Sequence, residues 1–270
     1  MASFLRRDLS ASRALKEKLR SGGIGTLVHS SHPSPSLVEK LGECGFDAVL
    51  IDCEHGSAGP ERVEEMARAA TLAGIVSVLR PEDPSPWMVT KYLECGVDGL
   101  MIPLVSDAKM AQSIVDRFRF SAPFDHQDRF LILMIETIEA VNNLPEILAV
   151  DGVDAYLIAP GDLALTMGYV PYTYEWQSGK RAREVEEVVN GAIKTIVSAG
   201  KVCGTLVNRT DVAEFLNKGV RLVYDHTNHM LAYGATDFFD RLNAYDASIS
   251  SRDHALPADP DATRTSVAAE

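Results

Sequence analysis

Basic residues are scarce relative to acids. Lys and Arg number 26 against 38 Asp and Glu, a formal net charge of −12 over 270 residues. The chain therefore has no cationic surplus with which to hold nucleic acid or an anionic membrane, and small molecules are the expected partners. No apolar run approaches the ~18 residues of a membrane span. The first twenty residues carry charges without the apolar centre of a signal peptide, so a soluble, cytoplasmic protein is expected. Cysteine is sparse too. Cys44, Cys53, Cys95 and Cys203 form no C-x-x-C pair and lie among apolar or small residues, which reads as buried free thiols in a reducing compartment. No G-x-G-x-x-G follows the first apolar run and no G-x-x-x-x-G-K occurs, so the nucleotide-binding signatures of α/β chains are missing.

What is present is alternation. Short apolar runs at Ile24–Val28, Ala48–Ile51, Ile75–Leu79, Gly99–Ile102, Phe130–Ile135, Ala155–Ile158, Val202–Val207 and Leu222–Tyr224 are separated by amphipathic segments. Such alternation specifies βα units on a parallel sheet, and eight units favour a closed (β/α)8 TIM barrel over an open doubly wound sheet. Helices are expected at Ser12–Arg20, Ser36–Glu43, Pro60–Leu72, Trp87–Glu94, Asp107–Phe118, Ile138–Leu148, Arg181–Ala199, Asp211–Asn217 and Leu231–Leu242, several of them stopped by a following glycine. The expected organisation is a helical lead-in over 1–21, a barrel over 22–246 and a tail over 247–270 with too little apolar content to fold. Tyr169–Gly179, with Tyr172, Tyr174 and Trp176, is a long aromatic loop that suits a lid or an interface.

Catalytic groups of such a barrel lie where its strands end. The second run ends in Asp52-Cys53-Glu54-His55, the third in Arg80-Pro81, the fifth in Glu136-Thr137, the sixth in Ala159-Pro160-Gly161-Asp162, and the eighth in Asp225-His226-Thr227-Asn228-His229. The Asp52–His55 cluster has the groups to bind a metal, move protons, or do both. Glu136 closes a run so apolar that its carboxylate needs a cation beside it, either a metal or an arginine. Asp162 suits a helix N-cap or a second carboxylate of a site for Mg²⁺ or Mn²⁺.

The ordered set Phe46-Asp47 to Gly56, Val78-Leu79-Arg80-Pro81, Leu100-Met101-Ile102-Pro103, Ile135-Glu136-Thr137 and Ala159 to Tyr169 resembles the metal-dependent class II pyruvate aldolases, the 4-hydroxy-2-oxoheptanedioate aldolase family. The similarity runs from about Gly22 to Leu242. It implies a barrel, usually hexameric, whose last helix is exchanged between subunits. It implies an aldehyde-lyase that joins or splits a pyruvate enolate and an aldehyde. Glu136 and Asp162 would hold a divalent cation, Mg²⁺ or Mn²⁺ with Co²⁺ or Zn²⁺ as further options, and pyruvate would bind it. The backbone N–H groups of Gly161 and Asp162 would hold the pyruvate carboxylate, and Arg80 would face its keto oxygen. His55 would be the base and Asp52 would orient it, with Glu54 behind the metal's waters and Glu94 supplying an acid to a neighbouring subunit.

Two departures stand out. Met134 occupies the position where the family commonly has glutamine, and Phe120–Arg129 is short where the family has a longer loop, which implies fewer walls around the aldehyde and leaves room for a related lyase or decarboxylase acting on a 2-oxo diacid. The polar end of the eighth run is also unusual. His226 and His229 are too few for a zinc site and suit a structural role or contact with a hydroxylated or charged acceptor. His29, His32, His126 and His254 read as ordinary surface histidines.

Overall fold

The structure, a computed structural model, describes residues 7–169 and 182–245. Its strands are β1 (Gly25–His29), β2 (Ala48–Asp52), β3 (Val76–Arg80), β4 (Gly99–Ile102), β5 (Phe130–Ile135), β6 (Ala155–Ile158), β7 (Cys203–Leu206) and β8 (Leu222–His226). All eight are parallel, each beside its neighbour in sequence, and β1 closes on β8 with Gly25 opposite Leu222 and His29 opposite His226. The expected (β/α)8 barrel is what forms. Both faces of β2 and β3 are buried throughout, the reason these strands are nearly continuous apolar runs rather than alternating ones.

The helices are α1 (Ser10–Arg20), α2 (Pro35–Glu43), α3 (Pro60–Ala73), α4 (Pro86–Glu94), α5 (Ala108–Ser121), α6 (Ile138–Asn142), α7 (Leu144–Leu148), α8 (Pro160–Thr166), α9 (Arg183–Ser198), α10 (Val212–Asn217) and α11 (Thr227–Tyr245). Proline opens α2, α3 and α4 at the first turn, where its missing N–H costs nothing. Gly74, at φ 71°, ends α3 in the left-handed conformation. The segment 138–148 is two helices rather than the single one expected, because Pro145 in the first turn of α7 cannot continue the ladder of α6. The short α8 is an addition to the expected set.

The barrel interior takes alternate strand residues: Leu27, Leu50, Val78, Met101, Ile132, Met134, Leu157, Leu222 and Tyr224 belong to one buried cluster. At its base α1 contributes Leu15 and Leu19 to the same cluster. Lys16 of α1 donates to the carbonyls of Gln127 and Arg129 at 2.7 Å and pairs with Asp154 at 2.9 Å. The short 120–129 connection is thereby tied to the base, where helices feed into strands, and not to the rim where strands end. Within this chain it does not wall the pocket.

Cys53 and Cys203 are buried and all four thiols are free, whereas Cys44, expected to be buried, is exposed at the outer end of α2. Contacts divide the chain into two units, Met1–Asn228 and His229–Glu270. Most of 169–179 and the tail lie outside the described residues, as does His254. No described helix is long and apolar enough to cross a membrane.

Candidate active site

Inward-facing strand positions recur every second residue. Extending the interior series by one step places His29 after Leu27, Asp52 after Leu50, Arg80 after Val78, Glu136 after Met134 and His226 after Tyr224. Five polar side chains thus face the same end of the barrel from β1, β2, β3, β5 and β8. A cavity of about 200 Å³ opens there, lined by His55, Arg80, Met134, Gly161, Asp162, Tyr224 and His226. A larger groove of about 730 Å³ crosses the outer helices past Pro86, Lys109 and Phe120, away from these groups.

Asp52 is the hub. It is buried and receives Arg80 Nε on Oδ1 at 2.8 Å and Arg80 Nη2 on Oδ2 at 2.7 Å, a bidentate fork. His29 Nε2 meets Oδ2 at 3.1 Å. Burial opposes ionisation, but His29 and Arg80 together hold the Asp52 carboxyl well below the usual carboxylate range. Arg80 Nη1 also pairs with Glu54 Oε2 at 3.0 Å. The backbone N–H groups of Glu54 and His55 turn back onto Asp52 Oδ1 at 3.1 and 3.4 Å, and the turn closes at Gly56, where a Cβ would stand 2.0 Å from the Asp52 carbonyl oxygen.

Contrary to the expectation from sequence, Asp52 does not orient the His55 ring. It takes the His55 backbone N–H and gives its carboxylate to Arg80 and His29, while the His55 ring is 66% exposed with Nε2 3.8 Å from Glu54 Oε2. His29 is not a surface residue either, since its side chain is only 13% exposed. Its ring lies 4.6 Å from that of His226, and the ring of Tyr224 lies 5.1 Å from that of His226.

Glu136 is 2% exposed and accepts one N–H, from Leu104 at 2.5 Å. Burial raises its pKa to about 7, against the Leu104 bond and with repulsion from Asp162. It makes no ion pair among the described residues, and the nearby Arg80 charge offsets its burial only in part. Asp162 stands in the first turn of α8 rather than at its N-cap, which is Ala159. Two carboxylates and no third protein ligand fit a hard cation that keeps its other positions for water and substrate. Among the described residues no group of three or more His, Cys, Asp or Glu is placed to hold a metal. Glu94 is exposed at the outer end of α4, apart from this rim. Burial likewise raises the pKa of Glu54.

The sequence model of HpcH/HpaI aldolase/citrate lyase matches residues 26–235. The chain belongs to that family. A hydroxypyruvate/pyruvate aldolase of Agrobacterium fabrum is 30% identical over 82% of this chain and 91% of its own length. A 2-keto-3-deoxy-L-rhamnonate aldolase of Escherichia coli is 26% identical, covering 75% and 82% respectively. The fold matches an HpcH/HpaI aldolase/citrate lyase family protein of Burkholderia cenocepacia with a TM-score of 0.75 at 23% identity, over 86% of this chain and 99% of that one. As an HpcH/HpaI family member the chain is a lyase of the aldolase type, and aldolases of this family generally depend on a divalent metal.

Two rim features of this HpcH/HpaI chain escape sequence reasoning. Ser31 at φ 56° and Leu104 at φ 54° are the non-glycine residues with positive φ among the described residues. Each directs its N–H at a rim side chain, Ser31 at His29 and Leu104 at Glu136. Neither residue type signals the left-handed conformation.

Proposed function

We propose that the protein is a metal-dependent carbon–carbon lyase that forms or cleaves 4-hydroxy-2-oxo acids through a pyruvate enolate and an aldehyde. The observation that carries this reading is a buried guanidinium, fixed on two carboxylates, that lines one cavity with Asp162 while Glu136 lies buried beside them with no ion pair of its own. Glu136 and Asp162 would hold the cation, Mg²⁺ or Mn²⁺. When bound, it supplies Lewis acidity toward a 2-oxo acid.

The remaining roles belong to the chain. Arg80, locked by Asp52 and Glu54, presents fixed positive charge where negative charge gathers on the keto oxygen as the methyl proton leaves. Gly161 and Asp162, in the first turn of α8, have N–H groups without helical acceptors and would take the substrate carboxylate. His55, on the cavity wall and largely exposed, is the proposed base that moves the proton. Glu54 beside it turns toward both His55 and Arg80. His226 on the same wall suits a hydroxylated or charged acceptor aldehyde.

The test is solvent deuterium entering the methyl group of pyruvate in the presence of Mg²⁺ or Mn²⁺. Exchange should vanish in His55→Ala while metal binding persists, and Arg80→Lys should lose about 10²–10³-fold in rate because a point charge does not reproduce the fork. Loss of metal together with exchange in His55→Ala would mean that His55 is misassigned. Pyruvate release from a 4-hydroxy-2-oxo acid, but not from oxaloacetate, separates the aldolase from a decarboxylase of the same enolate chemistry. We further propose a cytoplasmic homo-oligomer, a hexamer with α11 exchanged between subunits, in which Glu94 would reach a neighbour's site.

A further inference from the structure

The rim holds one imidazole that the proposed reaction leaves without a task. His29 is the last inward residue of β1, and both of its ring nitrogens are engaged. Nδ1 lies 3.2 Å from the backbone N of Ser31 and 3.2 Å from its Oγ. A backbone N–H only donates, so Nδ1 is an acceptor and the ring proton sits on Nε2, directed at Asp52 Oδ2 3.1 Å away. In this geometry His29 accepts at Nδ1 and donates through Nε2.

The surroundings keep it so. Ser31 reaches Nδ1 from the left-handed region, φ 56°, and the one other non-glycine residue in that region among the described residues, Leu104, holds Glu136 in the same manner. Strained backbone persists where its surroundings over-determine it, and here both instances grip a rim side chain. The ring of His226, in register with His29 across β1 and β8, packs against it with ring centroids 4.6 Å apart.

We propose that His29 is a positioning residue of the reaction: its Nε2–H braces the Asp52 carboxylate, and Asp52 so braced aims the Arg80 fork at the cavity. Without His29, Oδ2 is held by Arg80 Nη2 alone, and the carboxylate can turn about Oδ1, where the backbone N–H groups of Glu54 and His55 hold it, carrying the Arg80 fork off its line. The role of His29 is to donate and not to carry a proton, so a side chain that only donates should replace it. Glutamine is such a side chain; leucine of similar bulk is not. The proposal rests on the reading that Arg80 stabilises the enolate.

The experiment uses full-length, Mg²⁺-loaded protein, with pyruvate methyl exchange measured for His29→Leu and His29→Gln and ¹⁵N spectra of the ring nitrogens recorded on wild type. His29→Leu should lose about 10–100-fold in kcat, the range for partners that orient a site residue, with KM for pyruvate nearly unchanged. His29→Gln should recover most of that loss. The spectra should place the His29 proton on Nε2. Unchanged kcat in His29→Leu overturns the proposal, and so does a His29→Gln as impaired as His29→Leu, which would make the imidazole a proton carrier. A proton on Nδ1 overturns it without any variant having to fold. If wild type exchanges no deuterium at all, the enolate reading falls, while the ring-nitrogen spectrum still decides the His29 tautomer.

Discussion

Glu136 and Asp52 are both buried carboxyls at strand ends, yet they shift in opposite directions because one has donors and the other has almost none. Asp52, held by Arg80 and His29, stays ionised far into acid. Its contribution to stability is complete above its unfolded pKa and is lost only as pH falls through its lowered folded value. Glu136, raised to about 7 from 4.5, binds its proton more tightly in the folded state, so metal-free protein should lose stability as pH rises from about 4.5 to about 7. The full cost is about 3 kcal/mol, reached above that window. A divalent cation bound to the ionised form should cancel it. Thermal melting with chelator and with Mg²⁺ should give curves that diverge as pH climbs through this window, and Glu136→Gln should flatten the chelator curve. Parallel curves would mean that Glu136 neither carries the raised pKa nor meets the ion.

The strand is the element that made most of this site legible from sequence. Gly99–Ile102, Phe130–Ile135 and Ala155–Ile158 are the runs expected, and the other five differ from theirs at one or both ends by one or two residues. That small error hid His29. A first run ending at Val28 stops one residue before an inward position, although the period of two from Leu27 points to it. Asp52, Arg80 and Glu136 were legible because each follows an unbroken apolar run. The partner of Asp52 was not, since the side chain nearest in sequence, His55, competes with one brought in by β1–β2 pairing. The rim turn after β2 is similarly hidden. Gly56 is required because its backbone passes against the Asp52 carbonyl, where a Cβ would be 2.0 Å away. Gly56→Ala should therefore shift the turn bearing Glu54 and His55, destabilise the fold by about 1–3 kcal/mol as overpacking does, and slow pyruvate exchange. Urea unfolding together with the exchange rate checks both, and an unchanged rate would show that the turn is not part of the machinery.

At the scale of the molecule, the second unit sets the remaining question. The described part of α11 exposes Leu231, Phe238 and Leu242 at 66, 61 and 37%. Spacings of seven and four put these three on one helix face. An apolar stripe on a chain with net charge −12 is a surface that calls for cover, and a second copy of the chain is the occupant that the proposed exchanged-helix assembly would supply. The charge opposes self-association over distance, so the apolar contact must supply the attraction. Leu231→Glu combined with Phe238→Glu should then yield a smaller species by light scattering coupled to size exclusion. Metal binding at the proposed ligands Glu136 and Asp162 should survive in that species, because both residues lie in the first unit. Exchange should fall if Glu94, the acid proposed to reach across subunits, supports the base. An unchanged mass would remove α11 from the interface. A smaller mass with full activity would instead leave the assembly standing and withdraw Glu94 from the chemistry.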